Sequence, residues 1–258
     1  MTLHAEVRPS RRAQAVAGVL VAADLLLFTL IAEDVLNGGG LVSHDHAVLA
    51  WFVAHRTAWL INASRFVSTV GGFASLAIIS ALLGLWVRSR GWPVVLAASA
   101  LVSLTLASLA STAAKAIFDR PRPPVALHAM TVTLAAFPSG HATDAAAGCL
   151  AGAATLALTL ARRRWAQGVL LLSGVLAAAL VGISRLVLAV HWLSDVVAGW
   201  ALGSAIAIAV VMTTWYVGAG AAAPRQRSGA SLGMSSAAAS PSTSRSFPET
   251  HEEASDAK

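Results

Sequence analysis

The chain has little charge for its length. Asp, Glu, Lys and Arg make up 12% of its 258 residues, whereas 57% are hydrophobic. A water-soluble domain usually carries about twice that share of charged residues, so too little polar surface remains to coat a soluble particle of this size. The apolar residues fall in blocks of about 20, the length at which a helix crosses a bilayer core. The composition excludes a soluble globular domain and predicts a membrane protein.

Cysteine is equally scarce. The single Cys149 lies inside an apolar segment, so no disulfide can form within the chain and cysteine gives no indication of the compartment. The net charge of +6 could suit nucleic acid or anionic lipid. The basic residues are placed between the apolar blocks, however, which is typical of a topology signal. We therefore expect the bilayer as a partner and no nucleic acid.

Six apolar blocks are long enough to span a bilayer. They are rich in Ala, Leu and Val and nearly free of charge, and a helix satisfies its own backbone groups in lipid. The sequence predicts an all-α, six-transmembrane-helix bundle over residues 13–216, after a cytoplasmic N-terminal segment, 1–12. The predicted spans are 13–33, 67–87, 93–115, 142–161, 166–186 and 192–216.

Two segments outside the spans have a character of their own. Residues 217–258 are rich in Ala, Ser, Pro and Gly and end in acidic residues. They cannot bury enough apolar surface to fold, so we predict a disordered cytoplasmic tail without a catalytic role. Residues 45–62 predict a helix with Trp51 and Trp59 on its apolar side, lying along the membrane interface; a bulky loop is the alternative.

Basic residues determine the predicted orientation. Most of them precede the first span, separate the second from the third and the fourth from the fifth, or follow the sixth, which places them on one side of the membrane by alternation. The positive-inside rule makes that side cytoplasmic. We predict a multi-pass cell-membrane protein with both termini in the cytoplasm. The residues are Arg8, Arg11, Arg12, Arg88, Arg90, Arg162, Arg163, Arg164, Arg225 and Arg227.

Three junctions on the other side of the membrane hold most of the unusual polar residues. They are the segments 115–123, 138–141 and 184–195. Each lies at an end of a predicted span, and span parity puts all three on the extracytoplasmic side. Packing of the bundle can bring such helix ends together despite their separation in sequence.

The residue types in these segments suit phosphoryl transfer without a metal. Lys115, Arg122 and Arg185 can neutralise a phosphate, and arginine adds a planar fork that matches phosphate geometry. Ser139 and Gly140 stand at a helix start, where free backbone N–H groups and the helix dipole favour an anion.

Two histidines and an acid could supply the remaining chemistry. His191 and Asp195 are four residues apart and share a helix face. A carboxylate that holds one imidazole nitrogen leaves the other free to act as a nucleophile, and His141 can protonate the leaving oxygen. A lone histidine near a helix end is usually an interfacial residue. A functional site is favoured here because the basic residues beside these histidines run against the positive-inside rule.

The three segments resemble the three motifs of the type 2 phosphatidic acid phosphatase family: Lys-x6-Arg-Pro, Pro-Ser-Gly-His and Ser-Arg-x5-His-x3-Asp. The resemblance covers about residues 65–216 and leaves out the tail. All specified motif positions are present, as Lys115, Arg122, Pro123, Pro138, Ser139, Gly140, His141, Ser184, Arg185, His191 and Asp195.

This resemblance implies a six-helix fold shared with the vanadium haloperoxidases. It also implies a phosphohistidine on His191, oriented by Asp195, with His141 as general acid and then as the group that activates water. No metal ion or other cofactor is expected. Members dephosphorylate phosphatidate, phosphatidylglycerophosphate or polyprenyl diphosphates, so a phosphorylated membrane lipid is the expected substrate. The residues implied in phosphate binding are Lys115, Arg122, Ser139, Gly140 and Arg185.

Other polar residues carry weaker predictions. Asp144, one turn after His141, could hold the ring of that histidine or merely hydrate the helix start. Ser184 and Arg120 could support the site, Arg120 through the substrate headgroup. Asp24, inside the first span, is interpreted as a structural hydrogen-bonding residue. We interpret His44, His46 and His55 as solvated side chains and not as metal ligands.

Two other reaction classes use the same residues. A lipid phosphotransferase would share the first half-reaction and differ only in its acceptor. A vanadate-dependent haloperoxidase would hold vanadate in the same pocket, but such relatives are soluble and this chain has apolar spans. A membrane scaffold or transporter has no need of two histidines among phosphate-binding groups. The sequence leaves the lipid headgroup and the oligomeric state open.

Overall fold

The computed structural model describes residues 8–161 and 163–222. Within those two ranges all the long elements of regular structure are helices, which confirms the predicted all-α class. Two short 3₁₀ turns, Gly40–His44 and Val125–Leu127, interrupt the loops. The α-helices are α1 (Arg11–Asn37), α2 (Asp45–His55), α3 (Ala58–Val70), α4 (Phe73–Ser89), α5 (Val94–Ala97), α6 (Ser99–Phe118), α7 (Gly140–Leu160), α8 (Arg164–Val187) and α9 (Leu193–Ala222).

Five helices are long and apolar enough to cross a membrane: α1, α6, α7, α8 and α9. A sixth candidate span consists of α3 and α4, which are bent by 51° where Gly71 and Gly72 interrupt the helix. The described part of the chain therefore contains five spans, or the predicted six where α3 and α4 count together as one broken span.

The helix ends differ from the predicted spans at several places. The predicted third span begins with the single turn of α5, which is separate from α6. The last helix runs to Ala222, so residues 217–222 continue α9 and do not begin the tail. The rest of the predicted tail, from residue 223, and the first seven residues lie outside the described residues.

The segment 45–62 contains a break that the sequence prediction missed. Its residues belong to two helices, because α2 ends at His55 and α3 begins at Ala58. The hydroxyl of Thr57 accepts the N–H of Leu60 at 3.2 Å, which caps the start of α3. Trp51 and Trp59 are 56% and 75% exposed, as expected for side chains that meet the membrane interface.

The helix α7 occupies the middle of the bundle and packs against α6, α8 and α9. Small residues allow helix backbones to approach closely, and α9 uses Gly199 and Gly203 for its contact with α7. A Cβ on Gly199 would lie 2.8 Å from the Ser139 carbonyl oxygen, and one on Gly203 would lie 2.3 Å from the Thr143 carbonyl oxygen. This close approach holds the start of α9 beside the start of α7.

A polar contact joins α1 to α9 within the membrane-spanning region. The hydroxyl of Ser204 donates to Asp24 Oδ2 at 2.7 Å. The structural hydrogen bond predicted for Asp24 is thereby confirmed.

Candidate active site

The three polar segments meet at one end of the bundle. The Ser139 N–H donates to the Asp195 carbonyl oxygen at 2.9 Å, which joins the start of α7 to the start of α9. The Arg122 guanidinium donates to the Val190 carbonyl oxygen at 2.6 Å and lies against the ring of His191. Residues from all three segments therefore contact one another.

The ring of His191 is held between an acid and an arginine. Its Nδ1 lies 3.3 Å from Asp195 Oδ2, and its Nε2 lies 3.0 Å from Arg122 Nη1. A guanidinium can only donate hydrogen bonds, so Nε2 carries the lone pair and the ring proton stays on Nδ1, facing the carboxylate. This tautomer presents Nε2 as the nucleophilic nitrogen.

Burial is the largest cause that lowers the pKa of His191 well below its ordinary value. Nearby positive charge lowers this pKa further, so the ring is neutral at pH 7. Burial also lowers the pKa of Arg122, and the charge of Asp195 opposes that shift. The positive charges that act on His191 in this way are those of Arg122, Arg185 and Lys115.

Asp195 is fully buried, and both of its carboxylate oxygens are bound. Oδ2 accepts the Trp192 N–H at 2.9 Å in addition to facing His191. Oδ1 accepts from Arg120 Nη1 at 2.6 Å. The carboxylate that orients His191 is therefore fixed from two sides.

Two of the predicted phosphate-binding cations are bonded to the loop that precedes α7. Lys115 Nζ donates to the carbonyl oxygens of Ala135 at 2.9 Å and Pro138 at 2.5 Å. Arg122 Nε donates to the Leu134 carbonyl oxygen at 2.5 Å. Both side chains are therefore close to the site. A phosphate binds such cations more strongly than a carbonyl oxygen does, so each side chain can exchange a carbonyl oxygen for a phosphate oxygen.

The third cation, Arg185, enters the site from the end of α8. Its Nη1 donates to the Ser68 hydroxyl on α3 and lies 3.2 Å from Met130 Sδ. Its side chain is 1% exposed. Burial of a guanidinium with so few oxygen partners is costly, which points to a further anionic partner.

Three buried side-chain polar atoms lack a hydrogen-bond partner in the part of the chain that the structure describes: Ser139 Oγ, Arg185 Nε and Asp144 Oδ1. An unsatisfied buried polar group costs about 1–3 kcal/mol, so such atoms call for an explanation. All three belong to the predicted site, two of them to its predicted phosphate-binding set.

The other predicted site residues take varied positions. Gly140 opens α7 beside Lys115, whose Cε would lie 3.6 Å from a Cβ at that glycine. His141 is half-buried, and its Nε2 points towards Gly72. Asp144 lies near Lys115 and has no hydrogen bond to His141 among the described contacts.

Two weaker expectations can also be compared with the structure. The Ser184 hydroxyl donates to the Val181 carbonyl oxygen of its own helix at 2.6 Å, so it supports no predicted catalytic group directly. The residues interpreted as solvated are exposed in the structure: His44, His46 and His55.

The sequence prediction missed Asp45, which opens α2 and is 1% exposed. Its Oδ2 accepts from Arg120 Nη2 at 2.7 Å, and its Oδ1 accepts the Ser194 N–H at 2.9 Å. Arg120 thus bridges Asp45 and Asp195. Carboxylates bind both of its terminal nitrogens, and the headgroup contact considered for Arg120 stays a prediction. A lone acid in the apolar stretch 41–54 was the available sequence signal.

Comparison with known proteins identifies the family. Residues 96–219, which include all three polar segments, match the model of the PAP2 superfamily. An undecaprenyl-diphosphatase from Sulfolobus acidocaldarius is 33% identical to the chain over 187 residues, covering 70% of the chain and 84% of that protein. The chain belongs to the PAP2 superfamily.

Two crystal structures share the PAP2 fold of this chain. A transmembrane PAP2-type phosphatidylglycerolphosphate phosphatase from Bacillus subtilis matches with a TM-score of 0.64 and 24% identity, covering 75% of this chain and 93% of that one. Aquifex aeolicus LpxE matches with a TM-score of 0.52 and 19% identity, covering 65% and 94%. The family assignment and the apolar helices together make this protein a membrane-embedded PAP2 phosphatase, a phosphoric ester hydrolase.

Proposed function

We propose that this PAP2 protein hydrolyses a polyprenyl diphosphate through a phosphohistidine on His191, on the extracytoplasmic side of the membrane. The observation that carries the proposal is the state of the His191 ring. The ring is neutral, its Nδ1 proton faces Asp195, and its Nε2 faces Arg122. A buried imidazole in this arrangement is prepared for attack on phosphorus.

In the first half-reaction His191 Nε2 attacks the terminal phosphorus, and the bond from that phosphorus to the bridging oxygen breaks. Arg122 stops donating its hydrogen bond to His191 Nε2 and donates it to a phosphoryl oxygen instead. Lys115 and Arg185 balance the negative charge that develops on the phosphoryl oxygens. Ser139 Oγ and Arg185 Nε donate to the same group, which satisfies two buried atoms that otherwise lack partners. His141 gives its proton to the leaving oxygen, and the polyprenyl monophosphate departs.

In the second half-reaction water replaces the leaving group. His141, now neutral, accepts a proton from the water as its oxygen attacks the phosphorus. The phosphorus–nitrogen bond to His191 breaks, and inorganic phosphate is released. Asp195 stabilises the positive charge that the imidazole carries in the intermediate.

The polyprenyl substrate is proposed from two observations. The relative that is 33% identical is an undecaprenyl-diphosphatase. An apolar groove between α2 and the loop before α7 is lined by residues that include Leu49, Val53 and Leu127. Leu49 packs against Trp192, the residue next to His191. The groove therefore adjoins the nucleophile and suits a hydrocarbon chain.

The proposed side of the membrane follows from the basic residues. The helix ends remote from the site carry arginines, whereas the site lies where α6 and α8 end and where α7 and α9 begin. The positive-inside rule supports a cytoplasmic position for the arginine-rich ends. The arginines that the structure describes there are Arg8, Arg11, Arg12, Arg88, Arg90, Arg163 and Arg164.

The test is phosphate release by the purified full-length protein from undecaprenyl diphosphate, phosphatidylglycerophosphate and phosphatidate in detergent. We expect the diphosphate to have the highest kcat/KM. His191→Ala should lower kcat by about 10⁴-fold or more, because it removes the nucleophile. Labelled terminal phosphate should also be trapped on the wild-type protein in an acid-labile, base-stable form.

His55→Ala is the matched control, because this exposed histidine lies at the same end of the bundle and stacks on Trp51. It should retain normal turnover. Undiminished phosphate release by His191→Ala would refute the phosphohistidine, and label appearing on a lipid acceptor instead of in free phosphate would identify a phosphotransferase.

A further inference from the structure

A buried chain of charges connects α2 to the start of α9. Asp45 and Asp195 are 1% and 0% exposed, and Arg120 lies between them. Arg120 Nη2 is 2.7 Å from Asp45 Oδ2, and Arg120 Nη1 is 2.6 Å from Asp195 Oδ1. Two carboxylates thus share one guanidinium in a place that water scarcely reaches. Such groups are costly to bury unless each is paired.

Ser194 closes this chain of charges into a network. Its hydroxyl accepts from Arg120 Nη1 at 2.7 Å and donates to Asp45 Oδ2 at 2.5 Å. Its N–H donates to Asp45 Oδ1 at 2.9 Å. Both oxygens of Asp45 are therefore bound, and the carboxylate caps the start of α9 from outside that helix.

The network determines which oxygen of Asp195 meets His191. Arg120 takes Oδ1, so Oδ2 is left for the His191 ring and the Trp192 N–H. Arg120 has several rotatable bonds, and without Asp45 its guanidinium would be held through Nη1 alone. Asp45 holds its second nitrogen and thereby fixes the direction of the bond to Asp195.

We propose that Asp45 is a positioning residue for the phosphatase reaction, which holds Arg120 so that Asp195 presents Oδ2 to His191. This inference rests on the proposed role of His191 as nucleophile. Asp45 has no hydrogen bond to the proposed nucleophile or to the phosphate-binding groups, and it acts through Arg120 and Ser194. It opens α2, the helix that also lines the apolar groove, so the same helix adjoins the lipid chain and aligns the nucleophile.

The decisive variants are Asp45→Asn and Arg120→Gln, assayed in the full-length protein on undecaprenyl diphosphate. Each should lower kcat by about 10²-fold, the usual effect of a small misplacement of reacting groups. KM should stay within about twofold, because neither side chain binds the phosphate.

The pH dependence of kcat/KM separates positioning from a loss of folded protein. Asp45→Asn removes a negative charge near His191, which disfavours the imidazolium and moves the acidic limb to lower pH. Arg120→Gln removes a positive charge and moves the limb to higher pH. Misfolding would lower kcat/KM by the same factor at every pH and would leave the acidic limb of each variant in place. The other charged or titratable groups that face His191 are unchanged in both variants: Asp195, Arg122, Arg185, Lys115 and His141.

Asp34→Asn is the matched control. Asp34 Oδ2 accepts the Leu41 N–H at 2.9 Å and so holds the same connection that leads into α2, without contact to the Arg120 network. Its kcat and its acidic limb should equal those of the wild type. If they fell as in Asp45→Asn, the effect of Asp45 would come from the connection and the proposal would be overturned.

The outcomes distinguish this inference from the proposed function. The positioning role would be refuted if Asp45→Asn had the kcat of the wild type. It would also be refuted if the acidic limb of kcat/KM stayed in place, or shifted in the same direction, in both variants. Either result would count even if His191→Ala is inactive. Undiminished turnover by His191→Ala would refute the phosphohistidine itself. If one variant fails to fold, the kcat, the KM and the acidic limb of the other variant still test the positioning role.

Discussion

The guanidinium of Arg122 bonds at once to the Leu134 carbonyl oxygen, the Val190 carbonyl oxygen and the ring of His191. Its charge therefore acts on the nitrogen proposed to attack phosphorus, and its remaining N–H groups lie beside the phosphate-binding residues. At the scale of single residues, this side chain would couple the ionisation of the proposed nucleophile to the binding of phosphate.

Arg122→Gln tests this coupling through the pH dependence of kcat/KM. In the proposed mechanism His191 attacks only when its ring is unprotonated. Its lowered pKa keeps the ring unprotonated even at pH values below about 6.5, the ordinary pKa of histidine. Loss of the Arg122 charge raises that pKa, so the acidic limb should move to higher pH. Loss of a donor to the transition state should lower kcat/KM by about 10²–10³-fold.

Arg65→Gln is the control for this measurement. Arg65 also binds a backbone carbonyl of the loop before α7, that of Ala129, at 2.5 Å, but it does not touch His191. Its acidic limb should match that of the wild type. An unmoved limb in Arg122→Gln would show that Arg122 does not control the protonation of His191.

The residues of the three polar segments could be predicted because their spacing is local. His191 and Asp195 are four residues apart, and a helix start imposes their contact. Asp45 could not be predicted in the same way, because its partners Arg120 and Ser194 are 75 and 149 residues away. Ser68, which bonds Arg185 from 117 residues away, is hidden for the same reason. No local pattern encodes contacts that depend on how the helices pack.

At the scale of helices, the contact between α7 and α9 depends on backbone proximity. A Cβ on Gly203 would lie 2.3 Å from the Thr143 carbonyl oxygen and 2.8 Å from the Ala146 Cβ. Neither atom belongs to a flexible side-chain end that could move aside. The helix α9 also carries Asp195, so any displacement of α9 from α7 separates the acid from Ser139.

Gly203→Ala should therefore push α9 away from α7. We expect a loss of about 1–3 kcal/mol in stability, the usual cost of overpacking, measured as a lower Tm in detergent. Phosphatase activity should fall together with stability, because Asp195 moves with the helix.

Gly168→Ala is the matched substitution for this experiment. Gly168 lies within α8 and has nothing within 4 Å of the added Cβ, so Tm and activity should remain as in the wild type. Equal Tm values for Gly203→Ala and the wild type would disprove the close approach of the two backbones.

The six spans were predictable because hydropathy alone reports contact with lipid. The break within 45–62 was not, since it depends on tertiary contacts as well as on the Thr57 cap. Arg56 lies at that break and donates to the Leu127 carbonyl oxygen at 2.8 Å, far along the chain. The bend between α3 and α4 was also hidden, because Gly71 sits against Val181 of α8, a neighbour that sequence periodicity does not reveal.

At the scale of the whole molecule, charge is distributed unequally between the two ends of the bundle. The end with the site holds cations bound to carboxylates, to carbonyl oxygens or, for Arg185, to the Ser68 hydroxyl. The other end holds arginines at the start of α1, after α4 and before α8. Short segments rich in Arg and Lys beside the spans are retained on the cytoplasmic side during insertion.

This distribution predicts that activity towards an external substrate depends on the orientation of sealed vesicles. Right-side-out vesicles should hydrolyse a short-chain, membrane-impermeant prenyl diphosphate without detergent, and inside-out vesicles only after detergent is added. His55→Cys and Arg164→Cys, each in a Cys149→Ala background, give an independent measurement with an impermeant maleimide. If the maleimide labelled position 164 and not position 55 from outside intact cells, the protein would have the opposite orientation to the one proposed.

The bond between the Ser139 N–H and the Asp195 carbonyl oxygen is made entirely by main-chain atoms. Substitutions that leave the packing of α7 against α9 unchanged keep this link, so it fixes the gap between the start of α7 and the start of α9. The stretch from 124 to 137 and the helix α2 can then vary their surfaces without resetting that gap. Such a scaffold would allow the lipid-facing surfaces to change while the spacing of the proposed catalytic residues stays the same.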